Sequence, residues 1–161
     1  MVFQNGALFD SLTVGENILF SMETREDYDD ENKDDVVEGL LNLVGLAHTR
    51  DLFPTDLAVG HKRAVAIARA LASQPECVLY DEPTTMVDPI MSDQLGDLML
   101  TLKAQLQLTS VVVTHDLELM RKVADNVIFL HEGKVIYFGP VRGLDHAEHP
   151  HIREFMAMDR V

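Results

Sequence analysis

The sequence predicts an α/β fold in which helices cover a parallel sheet, and two observations predict it. Two short apolar runs, Cys77-Val78-Leu79-Tyr80 and Ser110-Val111-Val112-Val113-Thr114, stop abruptly at Asp81-Glu82-Pro83 and at His115-Asp116, as buried strands do. Between them Pro89 opens a helical pattern carried by Ile90, Leu95, Leu98, Met99, Leu102 and Leu106. Strand, long helix, strand is the pattern of a parallel pair with a right-handed crossover. In such sheets ligands bind beyond the carboxyl ends of the strands.

The remaining elements follow in order. Val36, Val37, Leu40, Leu41 and Val44 recur at helical spacing, and Gly45 ends that helix. A second helical pattern covers Ala64 to Ser73 and closes before Pro75. Beyond the second apolar run come a short helix from Leu117 to Ala124 and a strand from Asn126 to Leu130. The turn His131-Glu132-Gly133-Lys134 and a strand from Val135 to Phe138 follow. The alternation of strand and helix predicts that the third strand joins the same parallel sheet.

At 161 residues there is room for one compact α/β unit with its own core. A net charge of −14 argues against a nucleic-acid surface, which needs clustered Lys and Arg. The acidity peaks between Glu23 and Asp35, read as a solvated loop leading into a helix; it lacks the carboxylate spacing and turn glycine of a calcium loop. No apolar run is long enough to span a bilayer, and no basic segment followed by an apolar stretch opens the chain, so a cytosolic protein is expected. The single cysteine, Cys77, reads as a small buried hydrophobe in a reducing compartment.

Asp81 and Glu82 form the pair that phosphoryl-transfer sites use, one carboxylate for magnesium and the next for the attacking water. Neighbouring side chains on a strand point oppositely, so Glu82 must lie where the strand turns into a loop, a turn that Pro83 supplies. Taken alone, the same pattern fits a strand that runs out into an acidic loop. His115 lies 33 residues beyond Glu82, a span that fits one crossover and brings both residues to the same end of a sheet.

Here a family resemblance enters. Tyr80-Asp81-Glu82-Pro83-Thr84-Thr85-Met86-Val87-Asp88-Pro89 resembles the Walker B motif and D-loop of ABC ATPases, and Val113-Thr114-His115-Asp116 resembles their switch-histidine loop. Val2-Phe3-Gln4-Asn5-Gly6-Ala7-Leu8-Phe9, followed by Leu12-Thr13-Val14-Gly15-Glu16-Asn17, resembles the Q-loop and the start of the helical subdomain. The wording of the first of these segments and of Leu79 to Pro83 is similar to the ATPase of Mla-type lipid-trafficking transporters. The resemblance implies a partial P-loop NTPase (RecA-like) sheet with an inserted α-helical subdomain. It divides the chain into a Q-loop and helical subdomain (1–56), the signature helix and C-terminal part of the core (57–140), and a helical tail (141–161).

The resemblance also implies roles. Gln4 contacts magnesium and the attacking water, Asp81 orders magnesium, Glu82 is the general base, Asp88 communicates across a nucleotide-sandwich dimer, and His115 contacts the γ-phosphate. The cofactors that the resemblance implies, for a complete chain, are ATP and Mg2+. The partners are transmembrane permease subunits and a second ATPase subunit, and the location is the cytoplasmic face of the cell membrane.

Two departures stand against this pattern. No Gly-x-x-x-x-Gly-Lys-Ser/Thr occurs; the Gly133-Lys134 pair is followed by Val135 in an expected hairpin. The sequence therefore looks like the C-terminal portion of an ATPase subunit, expected not to bind ATP measurably by itself. The signature segment, usually Leu-Ser-Gly-Gly, here reads Leu57-Ala58-Val59-Gly60. Ala58 lacks the hydroxyl that would donate to a partner's γ-phosphate, a bond worth roughly 1.5–3 kcal/mol. Val59 puts a stiff branched side chain where backbone approaches phosphate, and only Gly60 keeps its place. Met86 stands where a glycine is usual.

A transporter ATPase is the leading reading and a non-catalytic ABC-like partner is the runner-up, favoured by Ala58 and Val59. A soluble ATPase of translation or DNA maintenance is disfavoured by the acidity. His146, His149 and His151 fit no ligand template around Pro150 and read as a solvated tail. In this fold family the strand before the phosphate loop lies beside the Walker B strand, so a chain without it exposes a sheet edge and is expected to be marginal by itself. A sharp, reversible, monomeric thermal transition of the purified chain would count against that expectation.

Overall fold

The first helix begins at a reciprocal cap. In the computed structural model, which describes residues 1–24 and 30–157, the Thr13 hydroxyl accepts from the Glu16 amide (3.2 Å) and the Glu16 carboxylate accepts from the Thr13 amide (2.7 Å). Helix α1 (Val14–Met22) follows, and its first amides, Val14 and Gly15, donate to the Leu52 and Arg50 carbonyls at 2.8 and 2.9 Å. Arg50 in turn pairs with Asp34. The apolar face of α1, with Val14, Ile18 and Met22 buried, packs on α2 (Lys33–Leu43) and α3 (Val59–Ala72).

Helix α2 ends as its glycine predicts. Gly45 has φ +74°, its amide donates to the Asn42 carbonyl (3.0 Å), and the Leu46 amide reaches back to Leu41 (2.8 Å). These are the two bonds that close a helix through a left-handed glycine. The acidic stretch before α2 falls partly on residues 25–29, outside the described residues. Helix α3 starts five residues earlier than the Ala64 expected from the apolar pattern. Nothing in Val59 to Arg63 breaks a helix, and the Lys62 amide already donates to Ala58 (3.0 Å).

Strand β1 (Cys77–Asp81) pairs in parallel with β2 (Thr109–Val113), from Cys77 opposite Thr109 to Asp81 opposite Val113. Between them runs α4 (Pro89–Leu106), with Asp88 as cap, Pro89 in the first turn, and Leu95, Met99 and Leu102 buried. The expectation of fully buried strands is corrected. Val78 and Tyr80 are buried, but Cys77 and Leu79 on the alternate face are exposed, as are Val111 and Val113 of β2. Alternation follows from the pleat. The apolar run therefore marks a strand with one covered face, and Cys77 is exposed rather than core.

These elements make up one compact unit, Met1–Val113; a second spans Thr114–Val161. In the second, β3 (Asn126–His131) and β4 (Lys134–Pro140) follow α5 (Leu117–Val123). The expected third parallel strand is corrected, while the expected hairpin at Gly133-Lys134 is present: β3 pairs with β4, antiparallel, in a sheet of their own. The turn decides this. Glu132 and Gly133 take φ +47° and +73°, the backbone of a two-residue hairpin. One hairpin face, with Val127, Phe129, Ile136 and Tyr137, packs on Leu117, Met120, Leu144 and Ile152.

Short α6 (Val141–Leu144) and α7 (Pro150–Ala157) complete this unit. Of the C-terminal histidines, His146 and His151 are exposed as expected and His149 is half-buried. The His151 ring lies 3.9 Å from His131 and 5.6 Å from His149, and the His149 Nδ1 is buried. Among the described residues no helix is long and apolar enough to cross a membrane.

Two residues make testable demands on this fold. Fully buried Asn17 donates Nδ2 to the carbonyls of Phe9 (3.0 Å), Leu12 (3.1 Å) and Thr13 (2.9 Å), and its Oδ1 accepts from the Phe9 amide (2.8 Å). Asn17→Ala strands part-buried backbone groups, and urea unfolding should show a loss of about 1–2 kcal/mol. Burial pushes the Tyr80 phenol up to about 12, opposed by its hydrogen bond with Ser110. The fold keeps the neutral phenol, so this stabilisation is complete below the ordinary phenol value of 10.0 and is lost as pH rises toward 12. Wild type should lose on the order of 2 kcal/mol across that window, and Tyr80→Phe should lose less.

Candidate functional site

The site is built at the carboxyl end of the first unit's sheet. Val2 forms a parallel bridge with Tyr80: its amide donates to the Leu79 carbonyl (2.7 Å) and its carbonyl accepts from the Asp81 amide (2.9 Å). On the other edge of β1 the Glu82 amide donates to the Val113 carbonyl at the end of β2 (2.9 Å). Consecutive amides thus point to opposite neighbours, and β1 lies between the Val2 segment and β2. Just past the bridge the chain turns, with the Gly6 amide donating to Phe3 (2.9 Å) and exposed Gln4 and Asn5 at the tip. Gln4 therefore follows by two residues the point where Val2 is bonded to Asp81.

Glu82 sits in the left-handed region at φ +45°, a conformation that costs a non-glycine residue about 1 kcal/mol or more. Strain of this kind is kept where the surroundings over-determine it. Here the Val113 carbonyl holds the amide, and the Thr85 hydroxyl donates to the Glu82 carboxylate at 3.2 Å. The loop continues through buried Thr84 to Met86, at φ +62° and 89 % exposed. That positive φ is the physical reason a glycine is usual at this place.

The other candidates gather where two helices begin. Asp88 accepts from the Met91 amide (3.0 Å) and so caps α4. Ala58 occupies the same capping position on α3 but offers no side-chain hydrogen bond, and Val59 in the first turn is half-exposed. Gly60 lies against α4: a Cβ there would fall 2.5 Å from the Met91 methyl and 3.1 Å from its Cβ. The one glycine left in the signature segment thus permits a helix contact. His115 belongs to the second unit, beside Asp116, which caps α5 by accepting from the Leu119 amide (2.9 Å).

The structure accordingly brings Gln4, Asp81 and Glu82 to one sheet end, and Ala58, Val59, Gly60 and Asp88 to the paired starts of α3 and α4. Two carboxylates and an amide oxygen suit magnesium, which takes one or two protein carboxylates and fills its shell with water and phosphate. Among the described residues no group of three or more His, Cys, Asp or Glu is placed to hold a metal ion. Three residues that touch these loops escaped the sequence reading: Thr85, and Arg63 and Arg69 of α3. A charged residue inside the buried, alanine-rich face of a helix was the available signal for Arg63.

The model of the family described as ABC transporter matches residues 1–85. The chain is similar to methionine import ATP-binding protein MetN 2 of Lactiplantibacillus plantarum, 41% identical over 143 residues that cover 88% of this chain and 41% of that protein. It is also similar to MetN 3 of Bacillus cereus, 40% identical over 141 residues with coverage of 88% and 41%. The chain thus spans about two fifths of the length of the curated relatives it matches. Among solved structures, the dimeric post-hydrolysis state of the ATP-binding cassette MJ0796 bound to ADP and Pi matches with a TM-score of 0.75 and 31% identity, covering 88% of this chain and 62% of that one. CbiO1 from Clostridium perfringens, part of the ABC transporter complex cbiONQ, matches with a TM-score of 0.80 and 26% identity, covering 98% and 66%. With an α/β fold that follows these cassettes and a family match over more than half its length, the chain belongs to the ABC transporter family.

Proposed function

We propose that the chain provides the hydrolytic half of the ATP site of an ABC transporter subunit that energises import of a small solute. The observation that carries this reading is Glu82, held in a strained backbone state by the Val113 carbonyl and the Thr85 hydroxyl at the sheet end shared with Asp81 and Gln4. As general base it takes the proton from a water that the Gln4 amide orients. Asp81 and Gln4 are the residues to hold Mg2+, which when bound neutralises phosphate charge. His115 is assigned to the γ-phosphate, and Asp88 to the partner subunit's side of a nucleotide-sandwich dimer.

Relatives named as methionine importers support import of an amino acid. Lipid cargo, suggested by the wording of the Gln4 segment, is the alternative. A neighbour described as dimeric and another described as part of a transporter complex support partnership with a second ATPase subunit and with permeases, and a place at the cytoplasmic membrane face. A non-catalytic partner is the second reading, favoured by Ala58, which gives α3 no side-chain cap, and by the branched Val59 in its first turn.

Glu82→Gln separates the readings. On the first, the variant of the full-length protein binds ATP as wild type does and turns it over at least about 100-fold more slowly. Turnover unchanged in Glu82→Gln removes Glu82 from the role of base, and wild-type protein that binds but never hydrolyses ATP favours the non-catalytic partner.

A further inference from the structure

Two arginines of α3 reach away from their own helix to the main chain of the two loops that matter. Arg69 donates Nη1 to the Ala7 carbonyl (2.7 Å) and Nη2 to the Gly6 carbonyl (2.9 Å), and its guanidinium lies 5.9 Å from the centre of the Phe9 ring. Gly6 and Ala7 both have positive φ, +78° and +46°, and their adjacent carbonyls share one planar fork. Gly6 also lies against α3, where a Cβ would meet the Lys62 carbonyl at 3.5 Å and Ala66 at 3.6 Å. Arg63, only 4% exposed, donates Nη2 to the Thr85 carbonyl at 3.3 Å, while its Nε is buried without a hydrogen-bond partner.

Burial lowers the pKa of both guanidiniums, a sign that each charge is held at a desolvation cost. An apolar side chain would fill such a position without that cost. What it would not do is fix a carbonyl. Six residues apart, the arginines leave α3 in different directions, separated by roughly 9 Å along its axis. One reaches the turn that bears Gln4, and the other reaches the residue whose hydroxyl holds the Glu82 carboxylate.

We propose that Arg69 and Arg63 are positioning residues that fasten the Gln4 turn and the Glu82 loop to a single helix, α3, so that the amide and the carboxylate keep one relative placement. This rests on the catalytic roles proposed for Gln4 and Glu82. Because α3 begins at Ala58-Val59-Gly60, the helix that starts at the signature segment also holds both loops.

The test is a double-mutant cycle on the full-length protein with Arg69→Met, Gln4→Ala and their combination, read by steady-state ATP hydrolysis and by hydrogen exchange of the Gly6 and Phe9 amides. Arg69→Met should lower kcat about tenfold with KM within twofold, speed exchange at both amides, and have no further effect on kcat once Gln4 is Ala. Arg69→Lys should recover part of the rate; if Arg69→Met fails to fold, Arg69→Lys takes its place with the same readouts. Multiplying effects of Arg69→Met and Gln4→Ala would show general destabilisation and overturn the proposal. So would an unchanged kcat in Arg69→Met when Glu82→Gln abolishes turnover. If wild type hydrolyses no ATP, the functional reading fails by itself; unchanged exchange in Arg69→Met then overturns the clamp, and faster exchange supports it.

Discussion

The two hydrogen bonds between Val2 and the Leu79 and Asp81 main chain are the constraint on which the rest of the site depends. They make β1 a central strand, flanked by the Val2 segment on one edge and β2 on the other. A parallel arrangement delivers all chain ends to the same side, so Gln4 and the Asp81-Glu82 pair emerge together although 77 residues separate Gln4 from Asp81 in sequence. The turn at Gly6 and the strained backbone at Glu82 have meaning only once that end is defined.

Several turns of the first unit are held by polar contacts. Asn17 fastens residues 9–13 to α1, Asp88 caps α4, and Thr85 holds the Glu82 carboxylate; in the second unit Asp116 caps α5. The Asn17 and aspartate contacts satisfy backbone groups that a turn would otherwise leave bare. The same logic explains the weak point. Ala58 stands at the capping position of α3 with no hydroxyl to accept from the first-turn amides.

Much of this was legible in the sequence because the signals were local. An apolar run stopping at Asp81-Glu82, Pro89 behind Asp88, and Gly45 after the last apolar helical residue each carry their reason within a few residues. What was not legible depended on what lies across from a residue. Whether Cys77 and Leu79 are covered depends on which segments lie on the face they share, and an apolar run alone does not say. The hairpin at Gly133-Lys134 was legible from its turn; that the β3–β4 pair forms a sheet of its own and adds no third parallel strand was not, because strand-helix alternation does not say which strands pair. The Arg69 contacts span 62 and 63 residues, and the ring contact of His131 with His151 depends on how α7 packs, so neither left a trace in spacing or composition.

Hydrogen exchange resolved at the Val2 and Asp81 amides tests the central claim most directly. If Val2 is bonded into the sheet, both amides exchange as slowly as those within the β1–β2 ladder, and they open together with it. Exchange at these two positions as fast as in an unstructured peptide, while the ladder stays protected, would contradict the account by freeing Gln4 from the strand end that carries the two carboxylates.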